Sequence, residues 1–479
     1  MTELARLGGA VGCAGLAMLF AAPGTRLRLV GLVAFVFGSL GLAFDLAPSG
    51  NGVKLGGAVA LGLALAAAGA AALRRWPWLL AFATLACVPA RIPVTIGSEE
   101  ANLLLPLDLV VAALALALLW ELLHGDTRAR ELGPAALPLA ALVAWTGLSL
   151  LWSDDVRQGE IFLLAFVLPF GVLAIGFARL PWRERVLGRL YAVLAASALV
   201  FAAIGVFQWA TRDVFWNPKV EVGNAYAPFY RVNSVFWDPS IYGRYLVTAI
   251  LATLVLVLLG LSGRRLAGAV VLVSATWVGL LFSFSQSSFA ALVAGVLVGA
   301  AIVWRRRALL AFALVGVVLL VAGFSTAQVR HTLLTKSKAS LNKATSGRAG
   351  LVSNGIRIAI DHPVAGVGVG GFKRAYGERT GLRGRDPQKA ASHSTPVTVA
   401  AETGFPGLLL LLWFLGATLL AALRRTVATP AGRASLAVGL TLGAIVVHSL
   451  FYNAFFEDPM TWALTGLVAV VVARRAEEA

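Results

Sequence analysis

Apolar residues fall along this chain in long unbroken runs separated by short polar connections. The runs lie near 7–22, 29–47, 55–73, 76–90, 103–123, 134–152, 161–178, 187–210, 241–262, 266–284, 288–304, 308–325, 405–423, 434–452 and 460–473. Crossing a bilayer takes roughly 20 apolar residues, with a range of about 17–25, so with the first, fourth and last runs short about 12 to 15 spans are expected. Leu/Ala/Val/Gly runs of this length must be helical, because lipid offers the backbone no hydrogen-bonding partner. The strict apolar/polar alternation of a membrane barrel is absent. The pattern predicts an all-α polytopic membrane protein, and the first run reads as a retained span because a basic leader and a clean cleavage site are missing.

The connections alternate in charge. One set carries Arg74–Arg75, Arg128 with Arg130, Arg179 to Arg189, Arg264–Arg265, Arg305–Arg306–Arg307, Arg424–Arg425 and Arg474–Arg475. The other set reads GSEEAN at 97–102, SDD at 153–155 and NAFFEDP at 453–459. The positive-inside rule places the basic set and the C-terminus in the cytoplasm. Two connections are long, and both fall on the outer face. The chain thus divides into N-terminal spans (1–210), a first outer loop (211–240), central spans (241–325), a large outer loop (326–404) and C-terminal spans (405–479).

Composition sharpens this picture. Of 479 residues, 59% are hydrophobic and 13% charged, too little charge to cover a water-exposed globule. The net charge of +17 would suggest nucleic acid in a soluble protein; most of the arginine here sits between spans, so membrane lipid is the expected surroundings and nucleic acid is not a partner. Cys13 and Cys87 lie in apolar runs and imply neither a disulfide framework nor a metal site. The large loop is itself basic, with Arg348, Arg357 and many others. Loops longer than about 60 residues cross regardless of charge, and a basic outer loop suggests an anionic ligand.

Five segments carry candidate chemistry. RVNSVFWDPSIYGRYL (Arg231–Leu246) ends the first loop with Arg231 and Arg244 on the face where the rule disfavours them. Arg244 falls about one turn into a span, where an unpaired charge is costly, so an anionic ligand or protein group is expected beside it. GVGVGG (Gly366–Gly371) matches GxGxxG, but the loop lacks the preceding strand and following long helix of a dinucleotide site, and tight turns explain the glycines better. His393, in SHSTPVTVAAETGFPG, stands where the loop rejoins the membrane and suits acid–base work near neutral pH. The serine-rich FSFSQSSF and the His448 segment HSLFYNAFFEDP read mainly as helix-end packing. There is no HExxH and no paired-aspartate motif. Guanidinium groups fit the site better than a metal, and no cofactor is expected.

Taken together, the polytopic outline, TSGRAGL (Thr345–Leu351), DHPVAGVGVGGF (Asp361–Phe372) and HSTPVTVAAETGFPG (His393–Gly407) resemble the O-antigen ligase and polymerase superfamily. His393, Ser394, nine residues, then Gly404 and Phe405 fit its late-loop spacing, and HSLFYNAFFED is similar to its closing pattern. Two departures stand out: Phe405 is bulkier than the usual aliphatic residue, and Gln286 stands where relatives commonly carry Arg. The resemblance implies a fold like the C-type glycosyltransferases. It also implies transfer of a glycan from undecaprenyl diphosphate to a lipid A core sugar hydroxyl at the periplasmic face of the bacterial inner membrane. His393 would be catalytic, with Arg231, Arg244, Arg348 and Arg357 on the diphosphate or glycan. A polymerase using the same donor is the alternative. A transporter is disfavoured, because Asp45 and Asp108 are the only candidates for mid-span charge.

Overall fold

A computed structural model of the chain describes residues 2–46, 52–96, 99–215, 217–226, 229–305, 348–381, 392–424 and 429–478, with 307, 308, 310, 312 and 313. Most of the span expected at 308–325 and the basic stretches 330–343 and 383–389 lie outside the described residues.

The fold is an all-α bundle. Its N-terminal part comprises α1 (Thr2–Ala21), α2 (Thr25–Leu46), α3 (Gly52–Arg75), α4 (Leu79–Cys87), α5 (Leu105–Leu123) and α6 (Ala136–Ser149). Then come α7 (Val156–Phe162) and α8 (Leu168–Ala178), joined by a π-turn, α9 (Glu184–Thr211) and the short α10 (Pro218–Tyr226). The central pieces are α11 (Pro239–Leu258), α12 (Gly263–Ser283) and α13 (Gln286–Trp304). Two loop helices, α14 (Arg348–Asp361) and α15 (Phe372–Thr380), precede α16 (Thr395–Ala422), α17 (Pro430–Ser449) and α18 (Pro459–Glu478).

Eleven helical segments among the described residues are long and apolar enough to cross a membrane, against 12 to 15 expected over the whole chain, which include the run at 308–325 mostly outside the described residues. The run at 76–90 accounts for one difference. Its helix α4 has nine residues, about 13 Å of rise against a hydrocarbon core of about 30 Å. Pro89 and Pro93 bound the region and favour extended chain. The chain continues instead into the one strand pair among the described residues, β1 (Ile92–Ile96) antiparallel to β2 (Glu99–Leu103), with Ile92 opposite Leu103.

Contacts order the two ends of the bundle. At the arginine-rich end, Thr25 Oγ1 donates to Asp126 O and Arg28 sits 3.7 Å from Asp126. At the opposite end, Arg6 donates to the carbonyls of Leu151 and Ser153. The first residues of α1 therefore lie at the end away from the arginine clusters, an orientation the charge pattern alone left open.

The loop rejoins the bundle earlier than residue 405. Helix α16 begins at Thr395, bends at Gly404 (φ 69°) and runs on to Ala422. A side chain at Gly404 would collide with the Val364 carbonyl, and the Phe405 N–H donates to Pro363 O. Gly366, Gly368 and Gly370 also have left-handed φ angles, and a Cβ on each would meet backbone of Glu402, Ser153 and Gly159 respectively. GVGVGG is thus a turn sequence that knits the loop between α7 and α16.

Candidate functional site

A cavity of about 480 Å³ opens at the end away from the arginine clusters. Local sequence fixes its walls. Asp238 caps α11 by accepting from Ser240 N at 2.6 Å, with Pro239 at the first helical position. On the facing wall Phe284 turns left-handed (φ 47°) and Ser285 caps α13, accepting from Ser288 N. Asn224 of α10 grips Arg231 by exchanging hydrogen bonds with its backbone N–H and C=O at 2.9 and 2.8 Å.

Arg231 and Arg348 both line this cavity. Arg231 Nε donates to Ser283 O at 3.1 Å, which aims the guanidinium. Burial lowers the Arg231 pKa from its ordinary value; Asp238 opposes the shift and nearby Arg348 adds to it. Two guanidinium groups felt by one another in a partly desolvated cavity form a site that an anion would relax. Arg91 and Lys219 add further positive charge, against Asp238 and Glu457. Among the described lining residues, four cations face two carboxylates.

His393 sits beside this cavity, half-buried. Its φ of 54° is left-handed, a conformation non-glycine residues adopt at a cost of about 1 kcal/mol or more. The flanking serines hold it there: Ser392 Oγ accepts from Ser394 N at 3.1 Å and donates to Ser394 O at 2.7 Å. Burial and then Arg348 lower its pKa from the ordinary 6.5, while Asp238 raises it. Both of those charged neighbours line the cavity.

The other two arginines are placed differently. Arg244 was expected to need an anion, and the structure supplies a protein one. Its Nε lies 2.8 Å from Asp458 Oδ2, with both side chains about 95% buried. Arg244 is not a lining residue; the pair ties α11 to the start of α18 directly beneath the cavity. Arg357 is exposed on α14. Nine residues separate it from Arg348, half a turn out of phase at 3.6 residues per turn, so the structure does not bring Arg357 to the cavity.

Sequence reasoning passed over several residues that do line it. Ser285, Gln286 and Ser287 belong to the wall, although the serine-rich segment read as packing. Ser287 is also 3.0 Å from Nε2 of the buried His448, which gives that histidine a buttressing place. Arg91 lies one residue past the run read as a span, and its Nη2 donates to Glu457 O at 2.7 Å. Its only sequence signal was a lone arginine on the face where arginine is scarce.

Three elements lead from the basic cavity into an apolar cleft of about 160 Å³. Helix α4 lines the cleft with Thr84 and Leu85 and leads to Arg91 in the cavity. On α11, Ser240 lines the cavity and Thr248, two turns on, lines the cleft. Near the start of α18, Glu457 and Met460 play the same two parts.

Residues 269–412 match the family model described as O-antigen ligase. Over that stretch, under a third of its length, the chain is similar to the O-antigen ligases. The matched stretch runs from within α12 to about two thirds along α16 and so includes Arg348 and His393. Arg91, Arg231, Arg244 and Asp458 enter from outside it. No curated protein matches the chain.

Proposed function

We propose that this protein is an O-antigen ligase of the bacterial inner membrane, with its cavity facing the periplasm. It transfers a glycan from undecaprenyl diphosphate to a sugar hydroxyl of lipid A core. The observation that carries this reading is the cavity in which Arg231, Arg348, Arg91 and Lys219 outnumber the carboxylates, with His393 at its side. A diphosphate is an anion of matching charge, and planar guanidinium groups bind its oxygens in pairs. The apolar cleft further along the same three elements suits the polyprenyl chain.

The chemistry follows from these placements. A sugar hydroxyl is a poor nucleophile near neutrality, whereas the diphosphate is already a good leaving group. A base at the acceptor is therefore the larger need. The ring of His393 takes the hydroxyl proton as the acceptor oxygen bonds to the anomeric carbon. The bond from that carbon to the phosphate oxygen breaks, and its electron pair leaves with the diphosphate. Arg231 and Arg348 neutralise the charge that develops there. One displacement inverts the anomeric centre.

Purified protein supplied with undecaprenyl-diphosphate glycan and lipid A core tests the proposal. Glycan should appear on the core, and it should still do so in EDTA. Growth of the lipid-linked glycan alone, when a second lipid-linked copy is offered, would make the protein a polymerase.

A further inference from the structure

A second cavity, of about 130 Å³, lies beside the basic one, and Ala454 and Glu457 belong to the walls of both. Its main wall is one face of α16. Thr395, Thr398, Val399, Glu402 and Thr403 line it, a spacing of three and four residues that sets them on a single helical stripe. Gln158 of α7 and Asn453 of the segment before α18 approach from other sides.

The polar groups here differ in kind from those of the basic cavity. No arginine or lysine lines the space; Glu402 and Glu457 are the only acidic or basic side chains among the described lining residues. Thr395 is 2% exposed, and its Oγ1 has no hydrogen-bond partner. No side-chain hydrogen bond joins the amides of Gln158 or Asn453 to another described residue. A buried hydroxyl without a partner is costly, and amides present both donors and acceptors. Phe162, Phe456 and Trp462 supply apolar walls. A lining without a cation disfavours an anion, and the mixed donors and acceptors favour a neutral polyol. Space for on the order of ten water-sized groups suits one pyranose ring.

We propose that this second cavity binds the acceptor's reacting sugar residue, through Gln158, Thr395, Asn453 and the two carboxylates. The inference rests on the ligase reading above and adds where the acceptor lies. The diphosphate occupies the basic cavity and the acceptor sugar the neighbouring one. His393 stands two residues before Thr395, so the base is next to the hydroxyl it must deprotonate. Displacement requires this arrangement, because the attacking oxygen and the leaving diphosphate approach the anomeric carbon from opposite sides.

Binding titrations on the full-length protein in lipid nanodiscs test it, with two probes: core oligosaccharide released from lipid A, and undecaprenyl diphosphate. Gln158→Ala/Asn453→Ala should weaken the oligosaccharide about 10-fold or more, the scale of one or two lost hydrogen bonds. Undecaprenyl diphosphate binding should stay within about twofold, and Arg231→Ala/Arg348→Ala should give the reverse pattern. Thr395→Val should weaken the oligosaccharide where Thr395→Ser does not, which keeps the test open if the double variant fails to fold. An unchanged oligosaccharide affinity in these variants, or its absence in the parent protein, overturns the proposal. So does a loss confined to undecaprenyl diphosphate, which would assign the cavity to the donor. Failure of the parent protein to bind undecaprenyl diphosphate would instead sink the donor reading.

Discussion

The two ends of the bundle each gather charge in a partly buried setting, and they resolve it in opposite ways. At the arginine-rich end, Arg28, Arg128 and Arg179 meet Glu121, Asp126 and Glu131 in a closed network. Three cations face three carboxylates, and Arg179 alone pairs with all three acids, 2.7 Å from Asp126. At the other end, four cations line an open cavity against two carboxylates among the described lining residues. Buried charges are tolerated when paired. A balanced network therefore holds helices together, whereas under the proposed function the diphosphate completes the other.

The largest expected effect separates chemistry from binding at the unbalanced end. His393→Ala should lower turnover by about 10²–10⁴-fold if it acts as general base, with undecaprenyl diphosphate affinity nearly unchanged. Near-normal transfer by the folded variant would remove it from the mechanism.

Next comes a double dissociation between the two ends. Arg231→Ala or Arg348→Ala should cost on the order of 10²-fold in kcat/KM, and Arg→Lys should remain impaired because the paired contact is lost. Apo thermal stability should hold or rise, since one of two neighbouring like charges is gone. Arg179→Ala should do the opposite, destabilising by about 3–5 kcal/mol by leaving buried carboxylates uncompensated. Melting temperatures measured beside kinetics would erase the contrast if all three variants lost stability alike.

A smaller effect concerns pH. Because burial and Arg348 hold the His393 pKa below its ordinary value, the acid limb of kcat/KM should fall below about pH 6.5, the free imidazole value. Arg348→Gln removes a cation that opposes protonation, so the limb should move up. Asp238→Asn removes an anion that favours protonation, so it should move down. A limb that ignores both substitutions belongs to another group. The smallest effect is expected at Arg357, exposed and half a turn from Arg348. Arg357→Ala should stay within about twofold of the parent rate.

Much of this was legible before any coordinates. Apolar runs of span length force helices because lipid leaves the backbone no other partner, and the alternation of arginine with acidic connections separates the two ends. Charge on the disfavoured face singled out Arg231, which lines the cavity, and the spacing of the resemblance singled out His393, on which two lining residues act. The same rule also flagged Arg244, because a sequence shows that a charge is out of place and not what pairs with it. Asp458 lies 214 residues further on and only folding brings it to 2.8 Å.

Tertiary structure alone decided which residues share a cavity. Arg91, Arg231, Gln286 and Arg348 come from four separate segments, and Gln286 looked like packing because a polar residue at a helix end is ordinary until its neighbours are known. The short α4 also escaped the hydropathy pattern, since apolarity predicts burial and not where prolines end a helix. Local forces therefore set the elements from the sequence by itself. The balance of charge at each end is a sum over contacts distant in the chain, and only the packed bundle fixes that sum.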